Sequence, residues 1–202
     1  MDMPSRHIYT SADAPLQLDG FQSAVARLAA DGLINPRRVG VIGFSFTCFH
    51  SLYALTHDPH LFAAAAITDG NQMSYSQYVF AEDSQAQEVA EAVNGGMPWG
   101  QGLTSWAERV PTFNLDKVEA PLLISAFERW QLLAQYEPYA GLRRLGKPVE
   151  MLWLPRENAT HVLKRPHHRY LSQQSAVDWF DFWLNGHEDP DPRWTRDELH
   201  ER

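Results

Sequence analysis

Apolar residues at Leu18, Phe21, Val25, Leu28 and Ala29 recur at helical spacing and predict a helix over residues 16–30. Asp31-Gly32 closes it and Asn35-Pro36 makes the following turn. Residues 39–43 (VGVIG) read as a short buried strand, and residues 46–56 as a helix stopped by Asp58-Pro59. The run FAAAAIT at 62–68 has alanines that suit a helix, but its length and its place after a helix favour a buried strand. The same alternation resumes later. Residues 121–127 (PLLISAF) predict a strand, 132–145 a helix, 149–154 (VEMLWL) a strand, 155–166 a loop, and 167–184 a helix closed by Asn185-Gly186. In that last helix Tyr170, Trp179, Phe180 and Trp183 are expected to be core.

Residues 71–117 break the pattern. One helix is expected there, over 82–93, ended by Asn94-Gly95-Gly96. Around it Tyr75, Tyr78, Trp99, Trp106 and Phe113 lie among glycines and prolines. The stretch reads as an aromatic-rich insertion, a candidate lid or pocket wall, with core and pocket roles equally open for its aromatic residues. Strands alternating with helices imply an α/β domain with a mostly parallel sheet. Residues 1–186 form that domain, and 187–202 a polar C-terminal tail.

Composition narrows the function classes. The chain has 202 residues, of which 44% are hydrophobic, enough for one domain with its own core. A net charge of −8 with signs mixed along the chain leaves no basic footprint for nucleic acid. The longest apolar run, LFAAAAI, is far short of the ~20 residues of a membrane span. One cysteine, Cys48, excludes an internal disulfide, and its place one turn into a helix reads as packing. No metal or organic cofactor is implied.

Chemistry concentrates in GFSFT at 43–47. A serine on a tight strand-to-helix turn projects its Oγ above the sheet and aims the next backbone N–H at a developing oxyanion. Gly43 fits the first glycine of G-x-S-x-G, whereas Thr47 occupies the second and needs extra room. The chain order then supplies partners. Glu128 follows the strand PLLISAF, and His161 lies in the loop after VEMLWL. Ser45, Glu128 and His161 thus follow strands in the order nucleophile, acid, base. His161 would take the proton of Ser45, Glu128 would orient the imidazole, and the Phe46 N–H would bind the oxyanion. Glu137 and Asp69 are rival acids, and His167-His168 read as structural at a helix start.

The stretches DGLINPRRVGVIGFS, YALTHDPHLFAAAAITDG, APLLISAFE, YAGLRRLGKPVEMLWLP and SAVDWFDFWLNGHEDPDP resemble the catalytic domain of the prolyl oligopeptidase family of serine peptidases. The resemblance runs from about residue 19 to about residue 192 and is nearest to a bacterial branch similar to lasso-peptide isopeptidases, where Thr at the Thr47 position is not unusual. It implies an α/β-hydrolase fold and a peptide or small acyl substrate cleaved through an acyl-enzyme. By that likeness Ser45 is the nucleophile, His161 the base, and Glu128 stands where the family usually carries an aspartate. The departure is at the start. Family members have several more strands before the elbow, usually an N-terminal β-propeller, and a second oxyanion donor, a tyrosine, from that upstream part. Only 44 residues precede Ser45, and Tyr9 is too close in sequence to be that donor. The expectation is therefore the C-terminal part of the fold only, lacking its upstream strands. An esterase on the same triad, or an inactive fragment serving as a binding module, are the alternatives. Compartment and oligomeric state are not legible, although relatives are often exported.

Overall fold

The computed structural model describes residues 7–81, 83–127, 129–154 and 161–188. Four parallel strands form one sheet in chain order: β1 (Gly40–Phe44), β2 (Ala64–Thr68), β3 (Leu122–Ala126) and β4 (Val149–Trp153). Gly40 pairs with Ala64, Ala65 with Leu122, and Leu122 with Val149, so the strands run nearly level and their carboxyl ends form one rim.

Helix α1 (Asp13–Ala30), α2 (Thr47–His57) and α6 (Arg129–Arg144) accompany one face of the sheet. Leu52, Leu55, Ile67, Leu122, Ile124 and Leu142 meet there, each fully buried. Helix α7 (Pro166–Phe180) covers the other face, where Trp179 packs on Ala66 and Leu123. The alanines of β2 follow from this: a strand pressed from both sides by helices has little room, and the aromatic residues come from the helix instead. A five-residue π-helical turn, Asp181–Asn185, ends α7.

Tyr170 departs from the expected core set, being 58% exposed. It lies nine residues before Trp179, and at about 100° per residue that places it on the opposite side of the helix. Its aromaticity said nothing about its face.

The segment 71–117 holds more helix than its sequence suggested. Besides α4 (Ser84–Asn94) it forms α3 (Tyr75–Phe80) and α5 (Gly102–Arg109). Ser74 caps α3 and Asp83 caps α4, each side chain accepting a backbone N–H of the first turn. Short helices among Gly and Pro carry too few periodic positions to show in the sequence. Trp106 is completely buried and donates its indole N–H to the Gly96 carbonyl at 2.6 Å. Tyr78 packs against it, while Trp99 and Phe113 stay largely exposed. The aromatic residues of this segment thus divide between a second core and the surface.

β1 lies at the edge of the four-stranded sheet, and its Ile42 is 64% exposed. Among the described residues no helix is long and apolar enough to cross a membrane. The contrast between Ile42 and the fully buried Ile124 sets a test. Ile124→Ala should lower unfolding free energy by about 3 kcal/mol, and Ile42→Ala by less than about 0.5 kcal/mol, read from urea midpoints at constant slope.

Candidate functional site

Ser45 follows β1 directly and adopts φ +58°, a left-handed conformation that a non-glycine residue seldom holds. Strain of this kind costs about 1–3 kcal/mol and persists only where surrounding bonds enforce it. Here they do. The Ser45 N–H donates to the Thr68 carbonyl at 3.2 Å, and the Ser45 carbonyl accepts from Cys48 N–H at 3.1 Å and Asn71 N–H at 3.0 Å. The next residue, Phe46, opens α2 with φ −62° and ψ −28°, and among the described residues its N–H meets no acceptor. A donor left open beside a strained serine is what an oxyanion requires.

The glycines have separate tasks. A Cβ on Gly43 would lie 2.9 Å from the Cys48 Cα and the Thr47 carbonyl, and 2.8 Å from the Ser51 hydroxyl, so the helix can approach the strand only over a glycine. Thr47, the apparent misfit, is exposed and crowds nothing. Its hydroxyl accepts the Phe44 N–H and donates to the Phe44 carbonyl, both at 2.7 Å. The side chain that breaks the G-x-S-x-G pattern therefore ties the last residue of the strand to the first turn of the helix. Cys48 is packing, as expected: it is fully buried, and burial pushes its thiol up to about 12.

Asp69 follows β2 as Ser45 follows β1, also left-handed at φ +47°, and is 1% exposed. Its Oδ2 lies 2.7 Å from Nδ1 of His161. A carboxylate at that nitrogen holds the proton on Nδ1 and leaves Nε2 as an acceptor. The His161 ring also stacks on Phe44, the residue before Ser45, with centroids 4.6 Å apart and planes 23° off parallel. Ser45, His161 and Asp69 therefore gather at the carboxyl rim of the sheet. Glu128 lies outside the described residues. Glu137 is turned elsewhere, its Oε2 accepting the hydroxyl and the N–H of Ser76 on α3. His167 and His168 form the first turn of α7.

A cavity of about 320 Å³ opens beside the elbow, bounded by Asn71, Met73, Tyr78, Phe80 and Trp130. Its polar groups are mostly spent on one another. Gln77 accepts the Gln72 N–H and donates to the Gly70 carbonyl, and the Asn71 carboxamide oxygen accepts the Met73 N–H. What remains toward the opening is largely apolar. A larger concavity of about 720 Å³ lies at the amino end of β1, around Asn35, Arg38 and Asp181, away from these groups. Among the described residues no three His, Cys, Asp or Glu side chains converge as metal ligands would.

Two features missed in the sequence matter here: the Thr47 clasp, and a buried contact between His50 and Asp13 behind the elbow. The only available signal for the first was a hydroxyl where glycine is usual.

Thr47→Val should destabilise the protein by about 1 kcal/mol in urea unfolding, and Thr47→Ser should restore most of it, because only the hydroxyl reaches both groups of Phe44. Cys48 should resist a thiol reagent at pH 8 in the folded protein and react promptly in denaturant, since neither access nor thiolate is available until the core opens.

Comparison with known proteins bears on the family and the fold. The lasso peptide isopeptidase AtxE2 of Asticcacaulis excentricus is 29% identical over 168 residues, covering 80% of this chain and 22% of its own length. The apo structure of AtxE2 superposes with a TM-score of 0.76 at 27% identity, covering 91% of this chain and 27% of that one, and a variant with Astexin3-dC4 bound gives 0.75 at 25% with the same coverage. A puromycin-hydrolyzing peptidase of Mycobacterium tuberculosis, at 18% identity and a TM-score of 0.73 over 83% of this chain and 25% of that one, shares the fold. The chain thus spans about a quarter of the length of the relatives it matches. The profile of the prolyl oligopeptidase family matches residues 16–187, and the chain, an α/β-hydrolase fold by its sheet and its neighbours, belongs to that family.

Proposed function

We propose that this chain carries the catalytic groups of a serine peptidase. The observation that carries the reading is the strained, left-handed Ser45 on a strand-to-helix turn, next to a histidine whose Nδ1 is bonded to a carboxylate. Ser45 Oγ attacks the carbonyl carbon of the scissile amide while His161 Nε2 takes its proton. The charge that develops on the carbonyl oxygen meets the Phe46 N–H. As the tetrahedral species collapses, the C–N bond breaks and His161 returns the proton to the departing amine. Water, deprotonated by the same histidine, then releases the acid from the acyl-enzyme.

For the acid we assign Glu128, from its place in the chain after β3 and the family pattern. The hydrogen bond between Asp69 and His161 favours a second reading, in which Asp69 is the acid. The substrate is a peptide. Support comes from AtxE2, a lasso peptide isopeptidase with a peptide-bound structure, and from the largely apolar cavity beside Ser45. We further propose that the whole protein supplies a strand beside β1 and a second oxyanion donor. The exposed Ile42 and Phe44 on that edge, and the quarter-length match to the relatives, support this.

A fluorophosphonate probe should label the folded protein, and Ser45→Ala should abolish labelling. A folded wild-type protein that takes no label would make this a binding module instead. Glu128→Gln should lower peptide hydrolysis by about 10⁴-fold, the scale of losing a triad acid, with Glu137→Gln within a few-fold of wild type. If Asp69→Asn produces the larger loss and Glu128→Gln does not, Asp69 is the acid. Cleavage of esters but not amides by the labelled protein would make the enzyme an esterase.

A further inference from the structure

Behind the elbow, Asp13 and His50 form a buried polar pair that the proposed reaction does not use. Asp13 is 3% exposed and His50 8%, and Asp13 Oδ1 stands 3.1 Å from His50 Nε2. This is an ion-pair separation without a well-aligned hydrogen bond. Such pairs seldom add net stability, and apolar residues of similar size usually serve as well. Their neighbours suggest what the pair does here.

The His50 ring meets the Phe46 ring edge to face, with centroids 4.9 Å apart and an interplanar angle of 84°. Tyr9 meets the same ring edge to face, at 4.7 Å and 74°. Both partners are tied to one carboxylate. Asp13 Oδ2 accepts the Tyr9 N–H at 2.9 Å, and Tyr9 is held in the left-handed region at φ +60°. The segment is secured again by Asp13 N–H donating to the Thr10 carbonyl at 3.0 Å, and by Arg109 of α5 donating to the Ser11 carbonyl at 2.8 Å. The carboxylate suits its place, since it lies in the first turn of α1. Phe46 stands at the N-cap of α2 without a side-chain cap; Phe49 is its remaining aromatic contact, and its side chain packs against the second core.

We infer that Asp13 and His50 are positioning residues that fix Phe46, and with it the N–H that receives the oxyanion. The inference rests on the proposed role of Ser45. The carboxylate sets both aromatic walls of Phe46, so the ring cannot turn without displacing one of them. A backbone donor must sit within a few tenths of an ångström of the oxyanion to stabilise it, and small misplacements near reacting atoms cost rate steeply. The pair acts through Phe46 and touches no substrate.

Saturable labelling by a fluorophosphonate tests this, because its phosphoryl oxygen needs the same N–H. His50→Phe keeps the ring and removes the contact with Asp13. It should lower the maximal labelling rate about tenfold and leave the half-saturating probe concentration within twofold. Phe46→Ala should lower the maximal rate similarly, and the double variant should be no slower than Phe46→Ala alone, the sign that His50 acts through that ring. Should His50→Phe not fold, Asp13→Asn, which keeps an acceptor for Tyr9, carries the same expectations. A maximal rate within twofold of wild type in the folded variant overturns the inference, as does a double variant whose loss is the product of the two single losses. A wild-type protein that folds but takes no label overturns the proposed function, and this inference with it.

Discussion

The left-handed turn at Ser45 is the constraint on which the site depends. A serine at φ +58° is held there by three backbone hydrogen bonds, drawn from β2, α2 and the start of the inserted segment. Each of those elements must therefore be in place before the turn is stable. Gly43 makes the arrangement sterically possible, since any side chain there would meet the backbone of α2. Thr47 then locks it from the outside, with one hydroxyl serving both polar groups of Phe44. The strain is local, but what sustains it is spread over the sheet and its connections.

The sheet turns this local device into a site. Because the register is level, β1 and β2 end together, and each is followed by a left-handed residue with a polar side chain, Ser45 and Asp69. His161 returns from beyond β4 to stack on Phe44 and bond to Asp69. The segment after β2 closes the neighbouring side. Its Asn71 and Gln77 side chains bond to backbone groups, and Met73 and Phe80, with Trp130 of α6, line the cavity. A ligand there would be held by apolar contact and shape more than by side-chain hydrogen bonds.

Much of this was legible in the chain. The helical spacing of Leu18, Phe21 and Val25, the short apolar runs before Gly43 and Asp69, and the punctuation by Asp-Gly and Asn-Gly gave the order of elements to within a few residues. Ser45 stood out because a strand, a glycine and a helix start converge on it. Less was legible between 71 and 117, where α3 and α5 are too short for periodicity to register. Tyr170 was misplaced for a related reason: aromatic character does not fix a helix face, and counting at 100° per residue from Trp179 does.

The sequence by itself determined what is local and periodic: the alternation of strand and helix, the serine turn after β1 and the chain order of the candidate groups. Backbone propensity and hydrophobic spacing act over a few residues and leave their mark there. Only the tertiary structure decided which groups meet across long separations. It brought Asp69 to His161, 92 residues apart, turned Glu137 toward Ser76, and set Asp13 and His50 behind Phe46. It also gave Thr47 its purpose. These outcomes depend on strand register and helix packing, which bring distant residues within hydrogen-bonding range and which no short stretch of sequence encodes.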